Sequence, residues 1–174
     1  MSQQEAAELT ARQQEIYEGV LRGNRDVVSA GVAAELDEGT VPGSLLFDVL
    51  IPAMKEVGDR FERNEFFVPE MLIAARAMQS GMVLLKPKLV ESGVEPIGTV
   101  AIGTVKGDLH DIGKNLVAMM MEGSGFEVID LGVDASPDKF VDAVKAGVDV
   151  LAMSALLTTT MPSMKTTIDA LVEA

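Results

Sequence analysis

The sequence has no cysteine and no tryptophan, and it contains a single histidine. Without cysteine the chain can form no disulfide, thiolate zinc site or iron–sulfur cluster, and it has no cysteine nucleophile. Basic residues are also few, since 14 Lys and Arg stand against 27 Asp and Glu for a net charge of −13. Nucleic acids and anionic membrane surfaces repel so acidic a chain, and neither is expected as a partner.

Long hydrophobic runs and nucleotide-binding glycine motifs are absent as well. Runs such as Leu116 to Met121 fall far short of the ~20 residues of a membrane-spanning helix. The N-terminal MSQQEAAEL is acidic and polar, unlike a signal peptide. There is no G-x-G-x-x-G and no Walker A motif, which disfavours a dinucleotide site. We therefore expect a cytoplasmic protein, with hydrophobic residues (48%) sufficient for a buried core.

The hydrophobic pattern of residues 1–92 is typical of packed helices. It is clearest in the fourth segment, where apolar residues recur in steps of four and three from a start near Pro69. Asn24 is a candidate N-cap for a helix that runs to Glu38, and Pro42 opens a third helix. We predict a four-helix bundle, a cap domain of residues 1–92.

Residues 98–174 instead alternate between strands and helices. Short apolar, β-branched runs predict strands at Thr99–Val105, Phe126–Leu131 and Val148–Ser154. Strands that alternate with helices through short links are parallel, with right-handed crossovers. We predict an α/β domain with a doubly wound parallel sheet, flavodoxin-like or Rossmann-like, behind a linker at residues 92–97. Such sheets usually have about five or six strands, so C-terminal strands are expected to be missing from this sequence.

The carboxyl end of the first predicted strand carries the only histidine, and ligands bind at such strand ends. His110 lies between Asp108 and Asp111, in a loop bounded by Gly107 and Gly113. One histidine does not build a zinc site, so a metal here would bring most of its own ligands, as a macrocycle does. Two interpretations stay open: a surface histidine without a role, and a ligand or base whose tautomer Asp108 fixes.

Two further segments also have open interpretations. The hydroxyls of Ser154 and Thr158–Thr160 follow the third predicted strand, which should lie beside the first. They either approach the histidine loop or cap the next helix. The segment from Phe61 to Val68 holds three of the six phenylalanines. It is either a hydrophobic staple or an apolar lid over a flat ligand.

Two motifs identify a family that this sequence resembles. Asp108-x-His110-x-x-Gly113 matches the D-x-H-x-x-G signature of cobalamin-binding domains, and Ser154-x-Leu156 matches the accompanying S-x-L element. With the preceding bundle, the chain resembles the corrinoid proteins of methyltransferase systems and the cobalamin module of methionine synthase.

The resemblance implies cobalamin, as methylcobalamin or another corrinoid, bound base-off/His-on between the domains with His110 as the lower cobalt ligand. Asp108 would hydrogen-bond His110, and Thr160 would continue the relay where the family has a serine. The other implied cofactor contacts are the loop around His110, the nucleotide-tail pocket and the lid over the upper face: Gly107, Asp111, Ile112 and Gly113; Ser154, Leu156 and Thr158; Phe61 and Val68. The family's Gly-Gly pair after a fourth strand lies beyond Ala174, so either further residues complete the tail pocket or binding is weakened.

The implied function is that of a non-catalytic methyl carrier in one-carbon metabolism. It would shuttle a methyl group between a substrate-specific methyltransferase and an acceptor methyltransferase, with a reductive activation protein as a further partner. The alternatives are a cobalamin-dependent sensor, a mutase subunit and an α/β domain that binds no cobalamin. The acidic charge disfavours the sensor, because those sensors carry a basic DNA-binding domain.

Overall fold

The structure is a computed structural model that describes residues 9–174. The first eight residues lie outside the described part, and with them most of the segment that argued against a signal peptide. The described residues form two compact units. One holds the residues up to Glu95 together with Gly123–Gly125, and the other holds Pro96–Glu122 and Phe126–Ala174.

The first unit is built from helices, and we call it the helical unit. Its elements are α1 (Ala11–Leu21), α2 (Arg25–Asp37), α3 (Pro42–Ser44), a π-helical segment (Leu45–Leu50), α4 (Ile51–Glu62) and α5 (Val68–Glu91). Since α3, the π-helical segment and α4 follow without a break, they form one rod, and the predicted four helices are present. The predicted cap is also present, because the Asn24 side chain accepts the backbone N–H of Val27 at 3.2 Å.

The core of the helical unit is apolar and closely packed. A Cβ added at Gly31 of α2 would lie 2.5 Å from Ile16 of α1, and one at Gly81 of α5 would lie 3.0 Å from Val28 of α2. Glycine at these crossings therefore lets the helices approach backbone to backbone. The largest fully buried side chains of this unit come from all four rods: Ile16, Val20, Val28, Val32, Leu45, Val49, Leu50, Met54, Val57, Met78 and Leu85.

The second unit is the α/β unit, in which strands and helices alternate. Its elements are β1 (Thr99–Thr104), α6 (Ile112–Gly123), β2 (Glu127–Asp130), α7 (Pro137–Lys145), β3 (Val150–Ser154) and α8 (Pro162–Glu173). Each strand is one or two residues shorter than its predicted run.

The sheet of the α/β unit is parallel and has the strand order β2-β1-β3. Thr99 pairs with Glu127 on one side, and Val100 pairs with Val150 on the other. The predicted parallel α/β fold is thus confirmed, with β3 beside β1. The central strand is buried, and Gly103 gives room to the Phe140 ring of α7, which a Cβ would meet at 2.9 Å. As a result, the carboxyl ends of β1 and β3 meet at one edge of the sheet.

The longest helix of the described residues is α5, with 24 residues. Neither α5 nor any other helix between residues 9 and 174 combines the length and the apolar character that crossing a lipid bilayer would require.

Candidate functional site

The candidate site is the loop that follows β1, residues 105–111, which we call the histidine loop. The backbone N–H of Val105 donates to the Ser154 carbonyl at 3.0 Å, and Val105 forms a β-bridge with Ala135. The loop therefore leaves the sheet between the ends of β2 and β3. This is the position at which open α/β sheets bind ligands.

A buried carboxylate organises the loop. Asp108 has a side chain with no exposed surface. Its Oδ1 accepts the backbone N–H of His110 at 3.0 Å and lies 2.7 Å from the His110 Nδ1. Its Oδ2 accepts the N–H groups of Leu156 at 2.9 Å and of Leu157 at 3.4 Å, and lies 2.5 Å from the Thr160 Oγ1. Both oxygens are thus surrounded by donors, which is how a buried carboxylate stays charged.

The contact of the Thr160 hydroxyl with Asp108 is the shortest of these. Its single proton has two acceptors within reach, the Asp108 carboxylate at 2.5 Å and the Leu157 carbonyl at 2.9 Å. The carboxylate is closer and charged, so it receives the proton. The hydroxyl of Thr160 and the backbone N–H of His110 hold the pKa of the Asp108 carboxyl well below its ordinary value. Asp108 is therefore a carboxylate at neutral pH.

His110 is positioned by this carboxylate and faces solvent. Its side chain is 51% exposed. Because the ionised Asp108 can only accept hydrogen bonds, the Nδ1 of His110 carries the proton of the neutral ring. Nε2 then holds the lone pair, and it has no hydrogen-bond partner among residues 9–174. The arrangement presents one imidazole nitrogen, with fixed tautomer and orientation, as a ligand or base.

Two residues that the sequence analysis missed support the same edge. Thr104, buried at the end of β1, donates its hydroxyl to the His110 carbonyl at 3.0 Å. Lys114 of α6 is 1% exposed in its side chain and donates to Asp130 and to Asn115, both at 2.6 Å. For Thr104, a hydroxyl inside an otherwise apolar strand was the available signal, because buried polar groups need partners. Lys114 stands beside Asn115 and gave no such signal.

The remaining predicted residues of the α/β unit have varied positions. Asp111 accepts the Asn115 side chain at 3.1 Å and so belongs to the start of α6. Ile112 is 81% exposed, and an added Cβ at Gly113 would meet nothing within 4 Å. Ser154 ends β3 opposite Thr104, Leu156 lends its N–H to Asp108, and Gly107 and Thr158 are exposed.

The two predicted lid residues belong to the helical unit. Phe61, near the end of α4, is 41% exposed, and Val68, at the start of α5, is 39% exposed. Phe67 between the two helices is also exposed, and its N–H donates to the Glu70 side chain at 3.0 Å. These apolar side chains are free to contact a ligand, and their role as a lid stays a prediction.

The donors at the site fit a cofactor that brings its own metal ligands. Within residues 9–174 there is no group of three or more His, Cys, Asp or Glu side chains able to hold a metal ion. The His110 Nε2 supplies one nitrogen donor, and the open surface at Gly113 leaves room beside it. A cobalt ion already held by a macrocycle would need few donors from the protein, and His110 would be able to supply one.

Comparison with known proteins agrees with this assignment. Family models described as "B12 binding domain" match residues 98–174 and residues 12–86. The chain is 35% identical to a corrinoid protein of Desulfitobacterium hafniense, over 91% of this chain and 76% of that protein. It is 39% identical to dimethylamine corrinoid protein 1 of Methanosarcina acetivorans, over 92% and 76%.

A solved structure shows the same similarity in three dimensions. The methanol:cobalamin methyltransferase complex MtaBC from Methanosarcina barkeri contains a chain with a TM-score of 0.86 and 31% identity, over 99% of this chain and 69% of that one. The fold and the site thus define a cobalamin-binding protein. Within that class, the chain belongs to the corrinoid proteins of methyltransferase systems.

Proposed function

We propose that this protein is a methyl carrier that holds cobalamin base-off/His-on, with the His110 Nε2 as the lower axial ligand of cobalt. The observation that supports this most strongly is the pairing of His110 with Asp108 at 2.7 Å, which leaves Nε2 without a protein partner. When bound, cobalamin supplies the cobalt centre that accepts and releases a methyl group.

The protein's own residues hold and orient the His110 ring. The Asp108 carboxylate keeps the His110 proton on Nδ1, and Thr160 keeps the carboxylate charged and in place. A proton taken up by the His110–Asp108 pair would weaken imidazole as a ligand, because an imidazolium has no lone pair to offer. The pair can therefore tune how firmly the lower position is held.

The remaining proposed contacts lie around this pair. Gly107, Asp111, Ile112 and Gly113 line the histidine loop and the exposed start of α6, beside the cofactor's lower face. Ser154 ends β3 and Leu156 and Thr158 follow it, on the side that the nucleotide tail would take. Phe61 and Val68 keep the lid role that the resemblance implies.

The proposed partners are two methyltransferases, one that holds the methyl donor and one that holds the acceptor, and a protein that reductively activates the cofactor. The complex MtaBC of Methanosarcina barkeri, in which the similar chain occurs, supports a methyltransferase partner. The donor is chosen by that partner, because this chain needs to expose only the methyl-bearing cofactor.

The lower ligand can be tested by isotope labelling, because the chain has one histidine. The protein is loaded with cobalamin, reduced to its paramagnetic cobalt form and examined by electron paramagnetic resonance. An axial ¹⁴N splits the cobalt lines into triplets. In protein made with ¹⁵N-labelled histidine, we expect doublets. Triplets that persist after labelling would assign the nitrogen to the benzimidazole of the cofactor and contradict His-on binding.

The variant His110→Ala gives a second measurement. We expect it to fold, because the ring is half exposed, and to bind cobalamin about 10–100-fold more weakly, as for losses in metal-site support. Imidazole added to the solution should restore the wild-type visible spectrum. An unchanged affinity and spectrum in the variant would remove His110 from the role.

A further inference from the structure

Besides the bridge of Ala135 to Val105, the connection between β2 and α7 contacts the histidine loop through Asp134. Asp134 has a positive φ of 49°, one of two non-glycine residues in this region of backbone conformation among residues 9–174. Asp and Asn tolerate this left-handed conformation better than other side chains do. A residue held in a sparsely populated conformation is a reason to ask what the conformation accomplishes.

Asp134 makes three hydrogen bonds, all with the histidine loop. Its backbone N–H donates to the Asp108 carbonyl at 2.9 Å. Its Oδ1 accepts the N–H of Gly107 at 2.8 Å, and its Oδ2 accepts the Lys106 ammonium at 3.1 Å. One residue thus holds three consecutive residues of the loop, which end two positions before His110.

These hydrogen bonds do not cap the neighbouring helix, α7, although Lys139 of that helix attracts the Asp134 carboxylate over a longer distance. The N-cap of α7 is Ser136, which makes no side-chain capping bond. Both carboxylate oxygens of Asp134 accept hydrogen bonds from the histidine loop, and neither accepts one from the first turn of α7. The N–H of Gly107 and the Lys106 ammonium also lower the pKa of the Asp134 carboxyl, so it is ionised at neutral pH and accepts strongly.

We propose that Asp134 is a positioning residue for the axial ligand, which fixes the backbone of Gly107 and Asp108 so that the Asp108 carboxylate meets the His110 Nδ1. Asp134 thus positions Asp108, and Asp108 in turn orients the His110 imidazole. The inference rests on the proposed function, because it gives Asp134 a part in His-on binding. The hydrogen bond to Gly107 is the essential contact. The exposed pair with Lys106 contributes little, as most surface ion pairs do.

Two substitutions separate the side-chain hydrogen bond from the backbone conformation. Asp134→Asn keeps an acceptor for the Gly107 N–H and tolerates the positive φ. Asp134→Gly keeps the φ and removes the acceptor. Lys106→Gln is the matched control for the ion pair. The readouts are cobalamin affinity, the histidine-derived nitrogen splitting in the paramagnetic resonance spectrum, and the hydrogen-exchange rate of the Gly107 amide without cofactor.

We expect Asp134→Gly to bind cobalamin roughly 10-fold more weakly, with a smaller histidine-ligated fraction, as for other groups that orient a metal ligand. The Gly107 amide should exchange faster in this variant. Asp134→Asn and Lys106→Gln should stay within about threefold of the wild type. A folded Asp134→Gly with unchanged affinity and splitting would overturn the proposal, even if its melting temperature fell, because the residue would then be structural only.

The wild-type protein without cofactor provides a test that needs no variant. The amide of Gly107 should exchange slowly, and the ¹⁵N shifts of His110 should show the Nδ1-protonated ring. A freely exchanging Gly107 amide would overturn the role of Asp134. If instead the loaded wild type shows no histidine splitting while both expectations for the free protein hold, the proposed function fails and the contact itself stands.

Discussion

The buried interiors of the two units differ in their chemistry. The helical unit has an apolar core, in which side chains such as Leu50 and Val32 are fully buried. At the carboxyl edge of the α/β unit, the buried groups are polar: Asp108, Thr104 and Lys114. The first kind of core stabilises roughly in proportion to the apolar surface that it removes from water. The second kind specifies where one nitrogen atom points, because hydrogen bonds are directional.

From this difference we expect stability and cofactor ligation to depend on largely separate sets of residues. A change in the helical core should reduce stability and spare the geometry of His110. A change at the histidine loop should alter ligation and leave most of the stability intact. Each of the following substitutions tests whether that separation holds.

The largest expected effect is on the stability of the helical unit. Leu50→Ala removes a fully buried side chain and should lower the free energy of unfolding by about 2–5 kcal/mol. Chemical denaturation measures the change. Val83→Ala, at a site 67% exposed on α5, is the control and should change stability by less than about 0.5 kcal/mol. Loss of the histidine splitting in folded, loaded Leu50→Ala would show that the two sets are not separable.

The second-largest effect is expected when the hydroxyl that contacts Asp108 is removed. Thr160→Val keeps the shape of the side chain but removes the donor, so Asp108 loses its shortest hydrogen bond. We expect cobalamin affinity to fall roughly 10-fold, with a reduced histidine-ligated fraction. Thr160→Ser retains the hydroxyl and should bind like the wild type. A valine variant that binds like the wild type, beside a serine variant that binds more weakly, would show that methyl packing, rather than the hydroxyl, matters at this position.

A smaller effect, on the free energy of unfolding, is expected when the pH is lowered. The pKa of Asp108 is lower in the folded protein than its ordinary value of 3.8, so the folded state favours the ionised form. The resulting stability is fully present above that ordinary value and is lost as the pH falls through the lower pKa of the folded protein. Cofactor-free wild type and Asp108→Asn should therefore become more alike in unfolding free energy between about pH 5 and pH 2. A difference that stays constant with pH would contradict the low pKa.

The smallest effect on binding is expected at the predicted lid. Phe61→Ala should leave cobalamin affinity and stability near the wild-type values, because the ring is already 41% exposed. If Phe61 covers the methyl-bearing face, photolysis of the methyl–cobalt bond should become faster, since the released radical pair separates more easily. The rate is followed by the visible spectrum under constant illumination. Unaltered photolysis would count against the lid.

Much of the fold was accessible from local sequence patterns. Hydrophobic periodicity predicted four helical rods and a parallel sheet, and strand–helix alternation predicted β3 beside β1. The D-x-H-x-x-G motif located His110 and Asp108, because the two residues lie only two positions apart. The structure then showed that the Oδ1 of Asp108 pairs with the His110 ring.

The rest depended on contacts between distant residues. Asp134 lies 27 positions from Gly107, and nothing in the local sequence indicates that they meet. Thr104 was read as part of an ordinary strand, although its hydroxyl supports the His110 carbonyl. The π-helical segment at Leu45–Leu50 was also missed, because its apolar residues fit helical spacing nearly as well as π-helical spacing. Periodicity reports which face is buried and says little about which polar atoms pair.

The enclosed ammonium of Lys114 has a consequence for how α6 can move. A cation with 1% of its side chain exposed and with Asp130 as its anionic partner has few tolerable alternatives, since an unpaired buried charge is strongly unfavourable. If α6 rotated or slid by a single residue, the amine would lose that partner. The ion pair between Lys114 and Asp130 therefore fixes the register of α6. It also restricts the segment that joins α6 to the imidazole.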